Sequence, residues 1–180
     1  MIISVEGIDG VGKTTLCKVL SDSLGYSYLD MDKQLTLPEQ SVHDGYTPDI
    51  NRGDWHISAY AIDLFSLSKT DVILDRGTLS SWVYEQRNDR DLDYLAQVCK
   101  NRKDDLLIIL ILGDENVCFQ RDSGVAARGW TIEDLSEQQN RMVNAADMLS
   151  LDGVNVLCFR DKDEVYIVDS VNGFIGGKND

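Results

Sequence analysis

The stretch from Ile2 to Thr15, IISVEGIDGVGKTT, restricts this chain to few architectures. Ile2-Ile3-Ser4-Val5 reads as a short buried strand, and it runs straight into Gly7-Ile8-Asp9-Gly10-Val11-Gly12-Lys13-Thr14. That octapeptide fits G-x-x-x-x-G-K-[ST] at every fixed position. Glycines let such a loop curl so that its N–H groups point inward at phosphate oxygens. Lys13 supplies a cation for the β- and γ-phosphates, and the Thr14 hydroxyl is placed to ligate Mg²⁺. Leu16, Val19, Leu20 and Leu24 then recur at helical spacing, so a helix N-terminus adds its dipole to the same anion site. The pattern implies a nucleoside triphosphate site for ATP and Mg²⁺, with Gly7, Asp9, Gly10, Val11, Gly12, Lys13, Thr14 and Thr15 around the ligand.

A chain of 180 residues suits one domain with a sizeable core. The longest apolar run, Leu106 to Leu112, is far too short to span a membrane. No positively charged lead-in precedes the loop, so no signal peptide is expected. Cys17, Cys99, Cys118 and Cys158 lack C-x-x-C pairing and sit in apolar contexts, which reads as reduced core thiols of a cytoplasmic protein. Neither His43 nor His56 has a spaced partner for zinc. A net charge of −14 argues against a general nucleic-acid binder. It leaves a nucleotide site open, because a few local arginines and amides outweigh a distant negative surface.

Strand and helix signals alternate along the chain. Further strands are expected at Tyr26–Leu29, Val72–Leu74, Leu106–Leu112 and Val154–Phe159. Helices are expected around Ile57–Phe65, Leu79–Val83, Leu92–Cys99, Asp114–Asp122, Thr131–Leu149 and Asp163–Ile175, with Thr131 and Asp134 forming an N-cap. The expected fold is therefore α/β: a three-layer α/β/α P-loop NTPase fold with a five-stranded parallel sheet. It forms a single domain over residues 1–180, with a small lid at about 121–130. The region from Asp30 to Asp54, which holds both prolines, reads as a functional loop.

Three constellations add chemistry. Asp75-Arg76 stands at the carboxyl end of a strand, where open α/β sheets bind ligands. Asp75 would help hold Mg²⁺ and Arg76 would span donor and acceptor phosphates; the plainer reading makes Asp75 a cap of the next helix and Arg76 a solvated side chain. Arg121 and Arg128 bracket a small, flexible Ser-Gly-Ala stretch, as a lid closing on the transferring phosphoryl group would need; otherwise they are solvated helix-end arginines. Tyr60 lies on an apolar helical face, which favours core packing over base stacking. Asp9 is an acidic group among phosphates, suited to a sugar hydroxyl or a metal-bound water, or merely tolerated at a variable position.

These residues together resemble the thymidylate kinases, which move the γ-phosphate of ATP onto dTMP. VEGIDGVGKTT is similar to that family's P-loop, including the acid at Asp9, near the sugar 3′-hydroxyl in the family. Leu37-Pro38-Glu39-Gln40-Ser41 resembles its Pro-Glu segment, and Ser58-Ala59-Tyr60-Ala61-Ile62-Asp63 its helix bearing the aromatic that stacks on the base. Ile73-Leu74-Asp75-Arg76 resembles its Asp-Arg signature, and Leu110 to Gly129 its fourth strand, helix and lid. The resemblance implies an ATP- and Mg²⁺-dependent nucleoside monophosphate kinase acting on dTMP, with Pro38, Gln40, Tyr60 and Leu64 beside the substrate. It also implies a cytoplasmic homodimer, with contacts around Tyr60 and Leu79. The family often carries arginine where Gln40 and Leu64 stand, and the Asp-Arg pair often found after the lid's Arg-Gly is missing. Alternatives are a kinase of another dNMP, of a deoxynucleoside or of a modified base in DNA, with Asp9 or Glu39 as base, or a non-catalytic nucleotide-binding module.

Overall fold

The computed structural model describes residues 1–31, 61–84 and 89–177. Pro38, Glu39, Gln40, Arg52 and Tyr60 lie outside the described residues. Five strands form one sheet: β1 (Ile2–Glu6), β2 (Ser27–Asp30), β3 (Val72–Asp75), β4 (Leu106–Leu112) and β5 (Asn155–Arg160), in the order β2-β3-β1-β4-β5. Every pairing is parallel. From β1 the chain leaves toward β2 and returns past β1 to reach β4. β1 is therefore the strand where the winding reverses, and the crevice at its carboxyl end is the natural ligand site.

The helices are α1 (Lys13–Leu24), α2 (61–68), α3 (Thr78–Tyr84), α4 (Asp89–Asn101), α5 (Glu115–Arg121), α6 (Ser123–Ala127), α7 (Ile132–Leu151) and α8 (Glu164–Gly176). Strand alternation sends side chains to two cores. Ile3, Val5, Ile73, Leu107 and Ile109 pack on Leu16 and Leu20 of α1 and on Ile167 and Val171 of α8. Ile2, Leu74, Leu106 and Ile108 pack on Leu79, Leu95, Cys99, Met142 and Leu149 of α3, α4 and α7. Three layers result, as the sequence pattern predicts. α7 starts at a complete capping box: Thr131 Oγ1 accepts from Asp134 N (3.2 Å), and Asp134 Oδ2 accepts from Thr131 N (2.7 Å).

Several expectations change. The segment after Arg121 is not an unstructured flap. Asp122 caps α6 by accepting from Gly124 N at 2.8 Å, and Val125 is fully buried with Ile8, Cys118 and Leu135. Cys158 is exposed, unlike the other three cysteines. Val19 and Leu64 are 37% and 46% exposed, so neither belongs to the inward stripe of its helix. Leu79 is wholly inside the core.

Candidate active site

The loop between β1 and α1 wraps a cavity of about 660 Å³ at the carboxyl edge of the sheet, a volume typical of small-molecule sites. Its described lining is Asp9, Gly10, Gly12, Lys13, Thr14, Thr15, Asp30, Asp75, Arg76, Arg121, Asp122 and Ser123. Nearly all of the loop, the Asp-Arg pair and the first lid arginine thus meet in one place. Gly7 and Val11 stand outside the lining; the Val11 side chain packs against the cluster around Ile8 and Cys118. Gly10 shows why the loop needs glycine. Its φ is +79°, and a Cβ there would stand 2.3 Å from the carbonyl oxygen of Cys118 in α5. The loop therefore rests directly on the backbone of the helix that leads into α6.

Asp9 is the electrostatic centre. Its carboxylate is 5% exposed and meets Lys13 Nζ at 3.8 Å, the Arg76 guanidinium, and Arg128 Nη2 at 2.5 Å. Burial pushes the Asp9 carboxyl upward, but Arg76, Lys13 and Arg128 outweigh it and hold it below the usual carboxylate value. Lys13 is buried and donates to the Ile8 carbonyl at 2.8 Å. Burial, and then Arg76, pull its pKa down from 10.5 to about 8 against the opposing pull of Asp9 and Asp75. Arg128 also lies 4.6 Å from the centre of the Trp130 ring, a cation–π contact that orients the guanidinium. Asp9 thus joins Lys13 of the loop, Arg76 of the Asp-Arg pair and Arg128.

Asp75 does not cap the following helix. Its Oδ2 accepts from Thr14 Oγ1 at 2.6 Å and from Tyr28 Oη at 3.2 Å. A hydroxyl and a carboxylate facing the cavity form a hard-oxygen pair that suits Mg²⁺, which keeps most of its waters and takes few protein ligands. Among the described residues no group of three or more His, Cys, Asp or Glu is gathered for a metal; the fit is to a metal held largely by phosphates. Arg76 is not solvated either. It adopts φ +73°, a left-handed conformation costing a side-chain-bearing residue about 1–3 kcal/mol, of the kind that collects at functional sites.

Three lining residues, Asp30, Asp122 and Ser123, were not among the expected site residues. Asp30 ends β2 opposite Asp75 in the parallel register, and Asp122 both caps α6 and borders the cavity. The signal for Asp30 was an acid closing a strand, the same signal that marked Asp75. Leu64 does not line the described cavity.

No protein-family model matches the chain. Solved structures with similar architecture include the YorR protein of Bacillus subtilis in complex with phosphorylated GDP: 15% identity, 98% of this chain and 96% of that one, TM-score 0.65. A shikimate kinase from Acinetobacter baumannii in complex with shikimate aligns at 16% identity over 98% and 93%, with TM-score 0.60. A deoxyadenosine kinase from M. mycoides with bound dCTP aligns at 16% identity over 98% and 100%, with TM-score 0.55. The fold is that of the P-loop kinases. Among curated proteins, a putative adenylate kinase from Thermococcus onnurineus (strain NA1) is 57% identical over 37 residues. That match spans 21% of this chain and 20% of that protein's length. Among the described residues no helix is long and apolar enough to cross a membrane.

Proposed function

We propose that this chain is an ATP- and Mg²⁺-dependent kinase, a single catalytic domain whose lid at about 121–130 closes over a small nucleotide, with dTMP as the leading acceptor. The observation that carries the reading is the convergence of Lys13 and Arg76, which line the cavity, and of Arg128, which stands outside the lining, on the buried Asp9. Three cations facing one carboxylate leave positive charge for phosphoryl oxygens, and phosphoryl transfer asks mainly for such positioned charge. Lys13 neutralises the β- and γ-phosphates, Arg76 spans donor and acceptor, and Arg128 and Arg121 close from the lid side. Thr14 and Asp75 would hold the metal, which would offset phosphate charge. A monophosphate acceptor is already ionised at pH 7, so no strong general base is required. Gln40, Pro38, Tyr60 and Leu64 remain the proposed acceptor-side residues on the strength of the resemblance to thymidylate kinases.

Asp30 favours a second reading, in which the acceptor is a hydroxyl. Asp30, one of four aspartates in the described lining of the cavity and in register with Asp75, would supply the base that a sugar or alcohol hydroxyl needs. The structural neighbours named for shikimate and deoxyadenosine accord with that class. A coupled ADP-release assay with Mg-ATP against dNMPs, deoxynucleosides and small polyols separates the two. Turnover with a dNMP supports the first reading, and turnover with hydroxyl acceptors alone replaces it with the second. ATP consumption indifferent to every acceptor would leave a nucleotide-binding module.

A further inference from the structure

Glu6 closes β1 with a fully buried side chain, and no step of the proposed transfer uses it. Its Oε1 accepts from Ser4 Oγ (2.8 Å) and Leu79 N (3.2 Å), and its Oε2 from Ser80 N (3.1 Å) and Ser80 Oγ (2.6 Å). A carboxylate lodged beside apolar core is costly unless its contacts are well formed, and sheet or helix packing alone does not call for one. These bonds hold Leu79 and Ser80 at the start of α3, and Arg76-Gly77 is the turn that joins β3 to that helix. Arg76 N donates to the Val5 carbonyl at 3.0 Å. At Gly77 a Cβ would stand 2.3 Å from Ser4 Oγ and 2.9 Å from Glu6 Oε1. The turn thus lies flat on Ser4 and Glu6, and only glycine permits that approach. The residue held immediately before it is Arg76, in its left-handed conformation. Such a conformation persists only when its surroundings over-determine it.

We propose that Glu6 is a positioning residue: by gripping the first amides of α3 against β1, it fixes the turn that delivers the Arg76 guanidinium to Asp9 and the phosphate seat. Its contribution to turnover rests on the phosphoryl-transfer reading, whereas its control of Arg76 is a property of the ligand-free protein. Glu6→Gln keeps the shape but turns one acceptor into an amide donor, so a backbone N–H of Leu79 or Ser80 loses its partner. The expected variant binds ATP within about threefold of the parent by calorimetry yet loses about 100-fold in kcat, the usual consequence of misplacing a group by an ångström. Made in an Arg76→Lys background, the same change should lower kcat less than about twofold, because the residue it acts through is already gone. An undiminished effect in that background, or an unchanged kcat in the single variant, overturns the proposal. Should Glu6→Gln fail to fold, Ser80→Ala removes one of the four contacts and should give a smaller loss that vanishes in the same background; persistence of that loss also overturns it. If the parent protein turns over no acceptor, the functional reading fails and a separate readout decides. In ligand-free protein, the Arg76 guanidinium should give resolved, slowly exchanging NMR signals that Glu6→Gln (or Ser80→Ala) averages; signals unchanged by the substitution refute the positioning role.

Discussion

Replacing Lys13 by methionine should abolish turnover and at the same time make the nucleotide-free protein more stable. The ammonium is buried, and burial together with Arg76 lowers its pKa from 10.5 to about 8. Each pKa unit corresponds to about 1.4 kcal/mol, so keeping Lys13 charged at pH 7 costs the fold roughly 3 kcal/mol relative to the unfolded chain. Between pH 8 and 10.5 the unfolded chain binds more protons here than the folded one, so this contribution to stability rises with pH across that window. Below pH 8 the penalty is present in full. Methionine fills similar space without charge, while the lost bond to the Ile8 carbonyl gives back about 1 kcal/mol. The net gain is about 2 kcal/mol, or about 4–8 °C in Tm for a domain of this size. Paired thermal scans of ligand-free parent and variant at pH 7, beside the ADP-release assay, test it. The gap should narrow from pH 8 upward and close above about pH 10.5, where the parent's lysine loses its proton in the unfolded chain as well. An equal or lower Tm for the variant at pH 7 would refute the reasoning, because it would mean that Lys13 is not held at a cost.

Binding of ATP near pH 8 should take up roughly half a proton, since phosphates draw the half-ionised Lys13 to its charged form; calorimetric heats that do not vary with buffer ionisation enthalpy would contradict this. Asp75→Asn should raise the Mg²⁺ concentration needed for half-maximal turnover by about 10–100-fold, with metal-free ATP affinity little changed, as Mg²⁺ titrations at fixed ATP can check. Thr131→Ala removes one arm of the capping box at the start of α7 and should cost about 1 kcal/mol, read as a Tm drop of about 2–4 °C with turnover intact.

The sheet was legible because its strands carry the two signals a sequence displays best. The run Leu106 to Leu112 is apolar on both faces, as a central parallel strand must be, and the glycines and lysine of the loop stand at fixed spacing after β1. The lid was harder. Ser123 to Ala127 is too short and too small in its side chains to show a helical period, so its order rests on one cap from Asp122 and one anchor, Val125, meeting Ile8 and Leu135 from distant parts of the chain. Asp9 could be placed in the loop with Lys13 by sequence, but not beside its two guanidinium partners, because Arg76 and Arg128 lie 67 and 119 positions away. Glu6 escaped for the same reason. What makes it more than an odd acid at a strand end is Gly77 and Ser80, brought beside it only when β3 pairs with β1.

The ring of cations around Asp9 also bears on how an anion arrives. The Asp9 carboxylate sits where Arg76 and Arg128 converge, so these guanidiniums are held in a geometry shaped by negative charge. An entering phosphate competes with Asp9 for partners that are already oriented, and little side-chain ordering is left to accompany association. On the proposed reading, recognition here is substitution of one oxyanion by another. Its selectivity is therefore for the ligand with more charge and more oxygens than a single carboxylate can offer.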